Sequence, residues 1–161
     1  MTAESSGFRA RAITALFRLI RFGGIALLFF VFIYAGAMKA MQPELFALDI
    51  LLFDVVRWET GVVIAYVLPW IEILIALALL IPATRRFALA TAAGLLMGFV
   101  VLLAWTLARG MEIACGCLGA GEGGILEAII RNLILIVIAL ALAIFYPAKR
   151  LRNTPFQRAT I

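Results

Sequence analysis

The run from Phe87 to Leu107, FALATAAGLLMGFVVLLAWTL, decides the fold, because its 21 residues are almost all apolar and none is charged. A hydrocarbon core about 30 Å thick is crossed by about 20 helical residues. Three other runs are long and apolar: Phe22–Met38 has 17 residues and no charge, Gly61–Ile81 contains only Glu72, and Ile125–Tyr146 contains Glu127 and Arg131 near its start. The sequence therefore predicts an all-α membrane protein, a bundle of four transmembrane helices.

The composition agrees with a bilayer environment. Of the 161 residues, 66% are hydrophobic and 14% are charged, whereas soluble domains are roughly half apolar and a quarter charged. The net charge of +5 does not indicate nucleic-acid binding, because the basic residues lie at the ends of the apolar runs, where they meet phospholipid headgroups. Histidine is absent, which excludes chemistry that needs an imidazole.

The distribution of lysine and arginine predicts the orientation in the membrane, because cytoplasmic loops are enriched in both residues. Ten basic residues would lie on one side: Arg9, Arg11, Arg18, Arg21, Arg85, Arg86, Lys149, Arg150, Arg152 and Arg158. Three would lie on the other side: Lys39, Arg57 and Arg109. We therefore expect both termini to be cytoplasmic, and residues 39–60 and 108–124 to lie outside, as in a multi-pass protein of a bacterial inner membrane.

Three regions follow from this topology. Residues 1–21 form a basic cytoplasmic N-terminal arm, either an interfacial helix or a topology anchor. Residues 22–146 form the membrane domain, and residues 147–161 form a basic cytoplasmic tail. A cleaved signal peptide is the competing interpretation of the first run, but the 21-residue arm is long for one. Between the first two spans, residues 43–59 show roughly helical apolar spacing, which suggests a short interfacial helix capping the bundle.

A G-x-x-x-G motif, Gly94 to Gly98, lies in the third span. Small residues in such a motif let two helices approach closely. We expect this contact within the bundle, with a homo-oligomer contact as the alternative.

The strongest chemical signal is Cys115-Gly116-Cys117, in the loop between the third and fourth spans. Extended, the two Cα atoms would lie about 6.6–7.2 Å apart, and disulfides require about 4.4–6.8 Å. The loop must therefore bend to close a disulfide, and Gly116 permits that bend. Such a small ring is more reducible than a structural disulfide, which suits thiol exchange.

Two other interpretations of the cysteine pair remain open. In the first, the pair is a permanent structural disulfide or two thiols without a function. A disulfide that closes so small a loop stabilises a fold only modestly. In the second, Cys115, Cys117 and Met111 bind copper(I) through soft ligands. Structural zinc does not fit, because two thiolates fall short of four ligands.

The second signal is Glu72, near the middle of the second span. An ionised side chain there costs at least about 2.5–3.5 kcal/mol and marks a functional-site hypothesis. Arg131 is the partner nearest in depth, so a structural Glu72–Arg131 pair is one interpretation. A role in handling protons or a quinone headgroup is the other. Lys39 either reaches the same cavity or snorkels to the interface.

Other polar and aromatic residues are candidates for cofactor contacts. Trp70 and Trp105 offer rings for stacking, although aromatic belts at the membrane surface use the same residues. Arg109 precedes the cysteines and would raise the thiolate fraction by lowering a thiol pKa; an exposed ion pair is the alternative.

In order along the chain, three motifs resemble the MauE branch of the DoxX-like membrane proteins. They are Tyr34-Ala-Gly-Ala-Met-Lys39, Leu68-Pro-Trp-Ile-Glu72, and Arg109-Gly110 leading into Cys115-Gly-Cys-Leu-Gly119. The resemblance covers about residues 20–146. One departure is Leu118, where the family pattern leads us to expect phenylalanine.

The resemblance implies a redox-associated four-helix membrane protein that works with a quinone and an extracytoplasmic thioredoxin-like partner. MauE proteins are linked to methylamine utilisation and to disulfide formation in the amine dehydrogenase. We therefore expect Cys115, Cys117 and Glu72 to carry the reaction, and Lys39, Trp70, Trp105, Arg109 and Arg131 to bind the quinone. A non-catalytic membrane subunit or assembly factor of an electron-transfer complex is the alternative, with the cysteines structural or metal-binding.

Overall fold

The computed structural model describes residues 3–53, 55–110 and 124–145, and their side chains from residue 15 onward. In this part of the chain the regular elements are five helices. They are α1 (Ala3–Met41), α2 (Pro43–Leu52), α3 (Trp58–Leu80), α4 (Arg85–Ala108) and α5 (Ile125–Phe145). Four segments are long and apolar enough to cross a bilayer: Ala15–Met41, Trp58–Leu80, Arg85–Ala108 and Ile125–Phe145. The predicted four-span, all-α architecture is confirmed.

The four long helices form a closed ring. α1 packs mainly on α3, α3 on α4, α4 on α5, and α5 packs back on α1. Because the chain reverses direction between successive spans, the end of α1, the start of α3, the end of α4 and the start of α5 meet at one end. We call this end, where Met41, Trp58, Ala108 and Ile125 lie, the motif end, because the connection from α4 to α5 contains both cysteines.

The arm and the first span are one helix. α1 runs without a break from Ala3 to Met41, 39 residues, or about 58 Å at 1.5 Å per residue. The expected boundary at residue 21 is therefore not a break in secondary structure.

A short helix follows α1, as expected, although it ends at Leu52 rather than near Glu59. Its Phe46, Ala47 and Ile50 are buried and form an apolar cluster with Ala65 of α3. Thus α2 packs against the motif-end half of α3. Its other face points away from the bundle, with Leu45 and Leu48 56% and 51% exposed.

The turn between α3 and α4 is fixed by side chains that bind the last carbonyl groups of α3. The hydroxyl of Thr84 donates to the Ala78 carbonyl at 3.0 Å. The guanidinium of Arg85 donates from Nε to the Leu79 carbonyl at 2.7 Å and from Nη2 to the Leu80 carbonyl at 3.0 Å. These bonds satisfy acceptors that a helix end leaves without intrahelical partners.

The apolar core is divided. A large cluster fills the half of the bundle away from the motif end and includes Leu28, Leu79, Leu89 and Ala139, all 0% exposed. Two smaller clusters lie at the motif end, one on α2 and α3 and the other around Leu103. Many large apolar side chains point outward, as lipid-facing residues do; the exposed fraction of Val101 is 62%.

Gly36 is the small residue that brings two helices together. A Cβ atom there would lie 2.9 Å from Ile73 Cγ1 and 2.9 Å from the Pro69 carbonyl oxygen. The absence of a side chain therefore sets the distance between α1 and α3. The expectation for the G-x-x-x-G motif is wrong: Gly94 and Gly98 are exposed, and a Cβ at either would have no neighbour within 4 Å among the described atoms.

These environments predict opposite outcomes for two glycine substitutions. Gly36→Ala should lower the free energy of unfolding by about 1–3 kcal/mol, the usual cost of overpacking. Gly94→Ala is the matched control, and we expect it to raise the free energy of unfolding by up to about 1 kcal/mol, because alanine is the better helix former. Unfolding in mixed micelles, followed by circular dichroism, measures both. Equal stabilities for the two variants would contradict the close α1–α3 approach at Gly36.

Candidate functional site

The site is centred on a buried ion pair between α1 and α3. Lys39 Nζ donates a hydrogen bond to Glu72 Oε1 at 2.5 Å. The side chains are 5% and 3% exposed, so neither reaches the interface. Lys39 therefore does not snorkel, and the interpretation in which it shares a cavity with Glu72 matches the structure.

Two aromatic rings flank the ammonium group of Lys39. Its Nζ lies 5.2 Å from the ring centroid of Phe46 and 4.9 Å from that of Phe99. Both distances lie within the range of a cation–π attraction. Phe46 comes from α2 and Phe99 from α4, so with Glu72 of α3 the lysine contacts groups from three other helices.

A small cavity of about 40 Å³ lies beside the pair. Its polar lining comes from Lys39, Glu72, Arg131 and Asn132, and the rest of the lining is apolar. Counted from the helix ends, Glu72 is the 15th of 23 residues in α3, and Arg131 is the seventh of 21 in α5. The cavity is therefore near mid-depth in the bundle and separates the large apolar cluster from the two smaller ones.

Two buried polar atoms beside this cavity have no hydrogen-bond partner among the described residues: Glu72 Oε2 and Arg131 Nε. Buried polar groups nearly always have a partner, and each exception needs an explanation. A carboxylate oxygen that can accept and a guanidinium N–H that can donate would suit a single oxygen-bearing group placed between them.

The interpretation of Glu72 as the ion-pair partner of Arg131 does not match the structure. The bonded partner of Glu72 is Lys39, and the Nε of Arg131 is without a described partner. Arg131 was selected by its depth in the span alone. Depth does not include the packing of α2, whose Phe46 lies beside Lys39.

The remaining predicted contact residues lie outside the cavity. Trp105 and Arg109 are together near the end of α4, with the Arg109 guanidinium carbon 5.2 Å from the ring centroid. Trp70 is 62% exposed and Trp105 is 55% exposed, and neither lines the cavity. The structure thus brings together Lys39, Glu72 and Arg131, and separately Trp105 with Arg109.

Cys115 and Cys117 lie outside the described residues, as does Met111. The chain on either side of them is described, and it places Arg109 and Gly124 at the motif end. Gly110 has a φ of 69°, a left-handed conformation in which glycine is favoured.

Sequence reasoning missed three residues of the site. Asn132 is buried and lines the cavity; a polar amide within an apolar span was a usable signal. Phe46 and Phe99 had no such signal, because a phenylalanine beside a cation looks like any other apolar residue of a membrane helix.

The fold and site together define a class: a four-span membrane bundle with a buried Lys–Glu pair and a polar cavity at mid-depth. Residues 15–145 match the family model described as methylamine utilisation protein MauE. The chain belongs to the MauE family, which indicates a membrane protein of methylamine utilisation. The expected MauE membership is confirmed.

No curated protein and no solved structure matches the chain.

The buried pair predicts strong coupling between its two partners. Glu72→Leu should lower the free energy of unfolding by about 3–5 kcal/mol, because it leaves Lys39 and Arg131 without an anion in the cavity. Lys39→Met should cost less, because Arg131 lines the same cavity as Glu72. The double variant should lose less than the sum of the two single losses, since neither partner of the pair is then left buried alone. A double-mutant cycle measured by unfolding in mixed micelles tests this.

The exposed pair Arg57–Glu59 supplies the control. Its Nε–Oε2 distance is 3.8 Å and its side chains are 89% and 73% exposed. Removing either charge should change stability by no more than about 0.5 kcal/mol. Additive losses in the Lys39/Glu72 cycle would contradict the buried pair.

Proposed function

We propose that this protein is an integral membrane thiol–disulfide redox protein. It passes electrons between an extracytoplasmic thioredoxin-like protein and a membrane quinone through Cys115 and Cys117. The observation that carries the proposal is the charged cavity of Lys39, Glu72 and Arg131 inside a membrane bundle. Ionisable groups at such depth are costly and generally functional. The bundle also carries a pair of closely spaced thiols in the connection between α4 and α5.

The first step is thiol–disulfide exchange. A thiolate of the partner attacks one sulfur of the Cys115–Cys117 disulfide and forms a mixed disulfide. The second partner thiol resolves it, which leaves the partner oxidised and the membrane pair as two thiols. Two electrons and two protons have then entered the pair.

The second step transfers the same two electrons and two protons from the dithiol to a quinone, which becomes a quinol while the disulfide re-forms. The relay is reversible, and its stoichiometry is the same in both directions. Because protons accompany the electrons, a carboxylate, an ammonium and a guanidinium beside the quinone oxygen have a direct role. We assign Glu72, Lys39 and Arg131 to that role.

Residues at the motif end complete the proposed site. Arg109 lies six residues before Cys115, where its positive charge would favour the thiolate form. Its contact with Trp105 keeps this charge beside an aromatic ring at the surface of the bundle. Trp70, which is exposed on α3, would contact the ring or tail of a quinone arriving from the lipid.

The second candidate function is a non-catalytic membrane subunit or assembly factor of methylamine utilisation. The Lys39–Glu72 bond and the tight contact at Gly36 favour it, because both also serve simply to fix α1 to α3. In that case the cysteines are structural or bind a metal. The reduction potential of the pair separates the two candidates, since structural disulfides have potentials below about −300 mV.

The relay predicts that a single cysteine substitution abolishes turnover. In proteoliposomes supplied with dithiothreitol and ubiquinone-1, we expect Cys115→Ser or Cys117→Ser to reduce protein-dependent quinol formation to the rate of empty liposomes. Absorbance of the quinone measures the rate, and alkylation followed by mass spectrometry measures the thiol state.

Glu59→Gln, at an exposed position of the same fold, is the control and should keep the unmodified rate. Glu72→Gln should lower the rate at least tenfold, because the carboxylate beside the quinone oxygen is lost. Undiminished quinone-coupled turnover in Cys115→Ser would rule out the relay.

The proposed topology makes a second prediction. In intact cells, a membrane-impermeant maleimide should label Cys115 and Cys117 after mild reduction, because their loop is expected outside. A cysteine introduced at Arg86 in a variant lacking both native cysteines should be labelled only after the membrane is permeabilised. The reverse pattern would place the native thiols in the cytosol, where an extracytoplasmic partner cannot reach them.

A further inference from the structure

We infer that the cavity between Glu72 and Arg131 is a binding site for a phenol-type hydroxyl, the oxygen end of a reduced quinone. One such hydroxyl would donate its O–H to Glu72 Oε2 and accept the N–H of Arg131 Nε. The inference deepens the proposed function, on which it depends for the choice of ligand. It assigns these two atoms to recognition of the quinol.

The first argument is the complementarity of the two atoms. Glu72 is 2% exposed, and its Oε2 is a buried acceptor without a described partner, while Arg131 Nε is a buried donor in the same condition. Both residues line one cavity. A hydroxyl group is both donor and acceptor, so it supplies the donor that Glu72 Oε2 lacks and the acceptor that Arg131 Nε lacks.

The second argument is charge. Among the described residues that line the cavity, Lys39 and Arg131 are cations and Glu72 is an anion, so one positive charge is in excess. An uncompensated buried charge is costly in a low-dielectric surrounding. A group whose oxygen gains negative charge lowers that cost, and a phenol does so more readily than an alcohol or water.

The third argument is the shape and chemistry of the lining. The cavity volume of about 40 Å³ is enough for a hydroxyl and too small for a whole aromatic ring. It exceeds the roughly 10–15 Å³ that a water needs, so the choice of occupant rests on the lining and not on the volume. The rest of the lining is apolar and includes Phe32, Leu96 and Phe99. This combination fits an oxygen carried on an apolar aromatic body, with the ring toward the open side of the cavity.

The test is direct binding of a redox-inactive, fluorescent quinol analogue, 2-heptyl-4-hydroxyquinoline N-oxide, to the full chain in lipid nanodiscs. The protein carries Cys115→Ser and Cys117→Ser, so that binding is measured without thiol exchange. We expect saturable quenching of the fluorescence. Arg131→Gln should weaken binding about tenfold to a hundredfold, the usual effect of losing a hydrogen bond to a charged group.

Arg86→Gln is the matched control, because Arg86 is exposed in the first turn of α4, and it should leave the affinity unchanged. A ligand-side comparison needs no variant of the site. The 4-methoxy analogue cannot donate to Glu72, and we expect it to bind at least tenfold more weakly. This result would support the inference even where Arg131→Gln fails to fold.

Three results would overturn the inference. The first is no saturable binding, and the second is equal affinity for the hydroxy and methoxy analogues. The third is an infrared spectrum whose bands from the site shift when the solvent is H₂¹⁸O and do not change when the analogue is added. That result would identify water as the occupant. Binding of the analogue without quinone turnover, in the protein that retains both cysteines, would rule out the relay and support the hydroxyl site. Quinone turnover without binding of the analogue would support the relay and rule out the hydroxyl site.

Discussion

The buried bond between Lys39 and Glu72 is the interaction on which the rest of the structure depends. It joins α1 to α3 inside a bundle whose other interhelical contacts are largely apolar. In lipid, apolar side chains give little preference for one helix partner over another, since lipid tails are equally apolar. A charged pair with a defined geometry therefore specifies which faces of α1 and α3 meet, and Gly36 allows them to meet closely.

The same pair explains why the core is divided. Apolar packing is continuous through the half of the bundle around Leu28 and Leu79 and then gives way to the polar cavity. Beyond it, α2 covers the motif end with its own small cluster. Without α2, the ammonium of Lys39 would lose the ring of Phe46 on one side. The short helix is thus part of the site as well as part of the fold.

Much of the fold could be predicted from sequence, because hydropathy is a property of each run alone. Lys39, Glu72 and Arg131 could be selected in the same way, as charged residues in apolar surroundings, and they do meet at one cavity. The interpretation that paired Glu72 with Arg131 was wrong, because the bonded partner depends on tertiary packing, and it is Lys39. The prediction that Gly94 and Gly98 face the interior of the bundle was wrong. A helix that is apolar all round does not show in its sequence which face is buried. The cytoplasmic position of the termini and the link to DoxX proteins stay predictions.

The unbroken course of α1 has a mechanical consequence. Lys39 lies two residues from one end of a rod of about 58 Å, which is nearly twice the thickness of the hydrocarbon layer. Sharp bends in helices occur at proline, Gly/Ser pairs or bulges, and Gly23-Gly24 is such a pair within the apolar part of the rod. One continuous helix therefore links the ion pair near its C-terminal end with the arginine-containing turns before residue 22, at the other end of the bundle.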